Sequence, residues 1–173
     1  MTRPLPMVLL AEDSADDAYF FQRALKRTGL ECSFTHVWDG GAAIQFIQRA
    51  AASGTSFPDL IFLDLKMPIL GGFEVLHWLQ TQSFLAPPCV IVLSGSNQDT
   101  DTARAAELGA SDYLVKPISS QTMAGRIEKL LQAGEPQGRL GVIRARRAER
   151  PTFPGKADAL VHLPPGSEGG AVP

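Results

Sequence analysis

Two cysteines in 173 residues, Cys32 and Cys89, are too few for a disulfide framework. Histidine is also scarce, with three residues, and neither His36 nor His77 has a second ligand at metal-binding spacing; Cys32-x-x-x-His36 reads as alternation along a strand. No apolar run approaches the ~20 residues that a membrane span needs. The start, "MTRPLPMVLLAEDS", carries one arginine and a short apolar run, Met7 to Ala11, with acids directly after it. That run is too short for the apolar region of a signal peptide. A net charge of −2 argues against nucleic-acid binding by the whole chain, and there are no internal repeats. These absences leave a soluble, cytoplasmic protein with no membrane partner as the expectation.

What is present is enough for one ordinary domain and a remainder. Apolar residues make up 45% of the chain, sufficient for a substantial core. Charge is divided unevenly. Residues 1–133 hold 10 Lys/Arg and 14 Asp/Glu, a net of −4; residues 134–173 hold 6 and 4, a net of +2. The second stretch contains seven glycines and six prolines with little periodicity. Residues 133–173 are therefore predicted to be a mildly basic, disordered tail, with a short basic helix conceivable at "RLGVIRARRAER" (139–150).

From Met7 to Gln132 short apolar runs alternate with helix-period segments. "MVLLA" (7–11) predicts a strand, and Ser14 caps a helix from Ala15 to about Thr28, stopped by Gly29. Tyr19, Phe20, Ala24 and Leu25 are expected to form its core stripe. "CSFTHV" (32–37) alternates like an edge strand, and Asp39 opens a helix carrying Ile44, Phe46 and Ile47. "DLIFLD" is a third strand, followed by a helix near Gly72–Gln82 with Val75, Leu76 and Leu79 inward. "PCVIVLS" (88–94), a helix over 97–109 ended by Gly109, the strand "DYLV" (112–115) and a helix capped by Ser119 or Ser120 complete the pattern. Five strands alternating with five helices predict an α/β fold with a doubly wound parallel sheet. Ligand sites in such sheets lie beyond the carboxyl ends of the strands.

Those ends hold chemistry. Glu12 and Asp13 end the first strand, Asp64 the third and Ser94 the fourth, and Lys116 with Pro117 follows the fifth. Carboxylates converging this closely repel by about 4 kcal/mol per pair at 4 Å for an effective dielectric near 20. A divalent cation would relieve that repulsion, and hard oxygen ligands with room for water suit Mg2+. Taken singly, each element has a plainer reading: an acidic pair as a helix start, Ser-Gly as a turn, Lys-Pro as a loop. Their coincidence at matching strand ends favours a site.

"LLAEDS", "IFLDLKMP", "VLSGS" and "YLVKP", in this order, resemble the receiver domain of two-component response regulators. The intervals agree: 30 residues separate Asp64 from Ser94, and 22 separate Ser94 from Lys116. The resemblance covers residues 7–132, and "EDSADDAYFFQRAL" is similar to single-domain regulators paired with phytochrome-type kinases. It implies a flavodoxin-like (βα)5 fold with strand order 2-1-3-4-5. It also implies that Asp64 is the phosphoacceptor, assisted by Ser94 and Lys116. Asp13 and Asp64 would bind Mg2+ directly, Glu12 through water, and Lys66 through its backbone carbonyl. Ser94 and Tyr113 would form the switch pair, and the bond before Pro117 would be cis. The side chains of Lys66 and Ser96 would flank the path of hydrolytic water.

The function implied is that of a phosphoryl-accepting signalling module, not an enzyme, without its own output domain. Its donor would be a sensor histidine kinase or phosphotransfer protein. It would signal to a downstream protein target through the surface of the fourth helix, fifth strand and fifth helix. A homodimer through that face is compatible with the resemblance. Two alternatives compete. Aspartyl-phosphate phosphatases of the haloacid dehalogenase type carry a second Asp two residues after the nucleophile, where this chain has Lys66. A regulator binding nucleic acid through the basic tail would need a recognition unit, for which the tail is short. On strands three spacings apart, roughly 14 Å at ~4.8 Å each, Cys32 and Cys89 are expected to be free core thiols. Trp38 and Trp78 are expected to be packing residues.

Overall fold

The computed structural model describes residues 5–132, apart from 55 and 97. The tail and its basic stretch lie outside the described residues. The elements run β1 (Met7–Ala11), α1 (Ala15–Arg27), β2 (Ser33–Val37), α2 (Gly40–Ser53), β3 (Leu60–Asp64), α3 (Gly72–Thr81), β4 (Cys89–Ser94), α4 (Asp99–Glu107), β5 (Asp112–Val115) and α5 (Ser120–Gln132). All strand pairs are parallel and the order is β2-β1-β3-β4-β5, as expected.

Local chemistry sets the helix ends. The Ser14 side chain accepts from the Asp17 amide at 3.2 Å, and Asp39 accepts from the Ala42 amide at 2.7 Å. Ser119, rather than Ser120, caps α5 by accepting from the Thr122 amide at 3.0 Å. Gly29 and Gly109 take left-handed backbone just past α1 and α4, with φ of 74° and 88°. Helix α4 is shorter than the periodicity suggested, and Gln98 at its N-terminus makes no side-chain cap.

Successive residues of a strand point to opposite faces, so the sheet has two cores. Leu9, Ile61, Leu63, Val90 and Val92 pack against Ala43, Ile47, Val75, Leu76 and Ala105 of α2, α3 and α4. Val8, Leu10, Leu60, Phe62, Ile91 and Leu93 pack against Ala18, Phe21, Leu25, Met123 and Ile127 of α1 and α5. Each large side chain fully buried this way contributes about 1.5–3 kcal/mol. Central strands covered on both faces read as unbroken apolar runs, and β1 and β3 are buried at every position.

Three sequence-based expectations need correction. Tyr19 and Phe20 are not core residues: they are 56% and 62% exposed, while Ala18, Phe21, Ala24 and Leu25 face inward. The 3.6-residue period passes through Ala18, Phe21 and Leu25 and leaves the aromatic pair on the outer side. Trp38 lies just past β2, exposed, with its ring edge-on to His36 at 4.2 Å. Cys32 and Cys89 are free as expected, but only partly buried. Trp78 does pack, against the α2–α4 core and Phe84.

Candidate functional site

Strand order reverses between β1 and β3, and the register there sets Ala11 beside Leu63. Glu12 and Asp64 therefore emerge side by side. Carboxylate oxygens of Glu12, Asp13 and Asp64 lie within 4.8 Å of one another. On the other side of β3, Asp64 pairs with Leu93 and Ser94 with Val115, so Ser94 and Lys116 close the same edge. The Lys116 amide donates to the Ser94 carbonyl at 2.8 Å, and the Lys116–Pro117 bond is cis. Gly72 lets α3 approach β3 closely: a Cβ there would stand 2.4 Å from the Asp64 carbonyl oxygen.

Each acid is held differently. Glu12 is 2% exposed; its Oε1 accepts from the Ser14 amide at 3.2 Å, and its Oε2 is 2.6 Å from Lys116 Nζ. Its own carbonyl contacts His36 Nε2 at 2.8 Å, which gives that histidine a backbone partner. Asp64 is also buried; Oδ1 is 3.0 Å from Lys116 Nζ, and Oδ2 accepts from the Lys66 amide at 2.9 Å. Asp13 is exposed. Burial pushes the Glu12 carboxyl above its usual range, and the hydrogen bond from Lys116 only partly offsets this. Burial alone would lower Lys116, but hydrogen bonds to Asp17, Glu12 and Asp64 outweigh it and hold the ammonium above its ordinary range.

Asp17 was missed by the sequence reading. Its Oδ2 lies 2.8 Å from Lys116 Nζ. Sequence offered one signal: in the first turn after a Ser14 cap, Asp17 stands at the end of α1 nearest the strand ends.

Ser94 is buried, and its Oγ accepts from the Ser96 amide at 3.2 Å. The Tyr113 ring is turned inward, with its hydroxyl donating to the Ser96 carbonyl at 3.0 Å. The expected switch pair is thus linked through the backbone of Ser96. Ser96 Oγ itself is buried without a hydrogen-bond partner among the described residues.

Residues 8–128 match the family described as the response regulator receiver domain. The chain belongs to that family. It is 32% identical over 124 residues to the "Probable methanogenesis regulatory protein FilR2" of Methanothrix harundinacea, covering 72% of this chain and 80% of the relative. The transcriptional regulatory protein PrrA of Mycobacterium tuberculosis is 35% identical over 127 residues, covering 73% of this chain and 50% of its own. The chain thus spans only about half of several relatives it matches. Among solved structures, the bacteriophytochrome response regulator RtBRR superposes with a TM-score of 0.65 at 29% identity, covering 84% of this chain and 90% of that chain.

The receiver's acidic cluster fits the Mg2+ that the family implies. Its donors are hard carboxylate oxygens, and exposed Asp13 leaves room for water in the coordination shell. Among the described residues no helix is long and apolar enough to cross a membrane.

Proposed function

We propose that residues 7–132 form a phosphoryl-accepting module in which Asp64 takes the phosphoryl group from a phosphohistidine on a sensor kinase or phosphotransfer protein. One observation carries this reading. A buried strand-end carboxylate, Asp64, stands within one acid cluster and 3.0 Å from a lysine ammonium. That arrangement is costly unless it serves a charged ligand.

An Asp64 oxygen attacks phosphorus in line. The P–N bond to the histidine breaks, its electron pair staying on the ring, and an aspartyl P–O bond forms. Lys116 follows the transferring oxygens, and the Ser94 hydroxyl donates to another of them. Mg2+, held by Asp13, Asp64, the Lys66 carbonyl and Glu12 through water, would neutralise charge on the group in transfer. Because Tyr113 is tied to Ser96, a shift of Ser94 toward the phosphoryl group is transmitted to that ring. The surface of α4, β5 and α5 then carries the signal to a protein partner, in the cytoplasm.

Acetyl phosphate, or beryllofluoride with Mg2+, should modify or occupy the wild type and not Asp64→Asn. Equal labelling of both proteins would overturn the assignment.

A further inference from the structure

The Lys116 ammonium has three N–H donors and three carboxylate neighbours. Glu12 Oε2 lies at 2.6 Å, Asp17 Oδ2 at 2.8 Å and Asp64 Oδ1 at 3.0 Å. The contact to the proposed phosphoacceptor is the longest. Glu12 directly follows β1 and Asp17 lies in the first turn of α1, so two of the three partners draw the ammonium toward the α1 side.

A phosphoryl group on Asp64 adds oxygens that need donors, and the three N–H groups of Lys116 already have acceptors. One contact must be exchanged. Glu12, at 2% exposure, cannot be left as an uncompensated buried charge without a large cost. The side chain of Asp17 is 45% exposed, so water can take the place of the ammonium there. The new P–O bond removes the charge of the Asp64 carboxylate and loosens its own hold on the ammonium, which leaves Asp17 as the competing anion that water can replace. Two contacts sharing one nitrogen also place the Asp17 and Asp64 oxygens within about 6 Å of each other, where like charges repel.

We propose that Asp17 is a positioning residue that competes with the phosphoryl group for the Lys116 ammonium and thereby shortens the phosphorylated state. The inference rests on Asp64 being the phosphoacceptor. No proton moves in the exchange: the Lys116–Asp17 contact opens and a Lys116–phosphoryl oxygen contact forms. On hydrolysis, water attacks phosphorus, the bond to the Asp64 oxygen breaks, inorganic phosphate leaves, and the ammonium returns to Asp17. A role for Asp17 in merely supporting the site predicts the opposite sign, because losing a support would weaken ligand binding.

The test uses the full chain with Asp17→Asn and Asp17→Glu, and Asp17→Ser as a second neutral variant should the first lose its fold. Beryllofluoride affinity at fixed Mg2+ is measured by calorimetry, and decay of the acetyl-phosphate-labelled protein is followed in parallel. The neutral variant should bind beryllofluoride about two- to fivefold more tightly and keep its phosphoryl group correspondingly longer. Asp17→Glu should stay near wild type. Unchanged or weaker binding in the neutral variant, or the same gain in Asp17→Glu, would overturn the competition. A wild type that takes neither ligand would instead overturn the Asp64 assignment.

Discussion

Lys116→Met removes the one cation that, among the described residues, faces Glu12, Asp17 and Asp64 at 2.6–3.0 Å, while keeping much of the side-chain bulk. The half-exposed Asp17 can turn to water, so the cost falls on Glu12 and Asp64. Breaking a buried ion pair from one side costs about 3–5 kcal/mol. Protonation sets a ceiling on the Glu12 share of the charge part. Glu12 ordinarily titrates at 4.5, so protonating it at pH 7 costs about 3.4 kcal/mol at 1.36 kcal/mol per pH unit. The variant can always take that route, and a loss of about 3 kcal/mol at pH 7 is expected.

The pH dependence follows from linkage. Glu12 already has a raised folded-state value, so the folded protein binds more protons than the unfolded chain above pH 4.5. Stability then falls as pH rises through the folded value. Without the ammonium that value rises further. The gap between variant and wild type should therefore be small near pH 4.5 and widen by up to about 1.4 kcal/mol per pH unit toward pH 7. Denaturant unfolding at several pH values without divalent cations measures it. Millimolar Mg2+ should recover more stability in the variant than in wild type, because a cation replaces the lost positive charge. A gap independent of pH, together with no preferential rescue by Mg2+, would refute the reasoning.

Lys116 itself runs at the other end of the scale: its folded value is raised above 10.5, so its stabilisation is present below that pH and lost above it, visible as an alkaline drop in Tm absent from Lys116→Met. Gly72→Ala should destabilise by about 1–3 kcal/mol in denaturant unfolding, since its Cβ would meet backbone atoms of Asp64 and Leu65 that have no room to move. Ile69 is fully exposed (103%) with a left-handed φ of 67°, an unfavourable state for a β-branched residue. Ile69→Gly should raise stability by about 0.5–1 kcal/mol, after allowing for the entropy of glycine in the unfolded chain. Lys66 is exposed beside Asp64, long enough to lie across a phosphoryl group and shield it from water; Lys66→Ala should shorten the phosphoryl half-life at fixed Mg2+ and pH, and a half-life unchanged or longer would defeat the shielding argument.

The strands and the main acids were legible because each rests on a short-range rule, whereas the strand order followed only from the family resemblance. An apolar run ending in Asp64 identifies a buried strand and its carboxyl end at once. Gly29 and Gly109 mark helix ends through backbone conformation alone. Where local signals compete, the reading failed. Tyr19 and Phe20 offer large apolar area, but the period through Ala18, Phe21 and Leu25 assigns the inward face to their neighbours. Helix phase outranks side-chain size, because a residue on the outer face cannot be buried however large it is.

Asp17 failed for a different reason. Its amide completes the Ser14 cap, and an acid in a first turn is stabilised by the helix dipole, so the residue had a sufficient local explanation. Its partner is Lys116, 99 residues away. Parity narrows that gap. Asp64 shares a face of β3 with Leu60 and Phe62, and both of those pack toward α1 and α5. An ammonium entering from the loop before α5 to meet Asp64 must therefore approach on the α1 side. The acids in the first turn of α1 then become candidates for contact, and of Asp16 and Asp17 only the latter is shielded from solvent enough to take part.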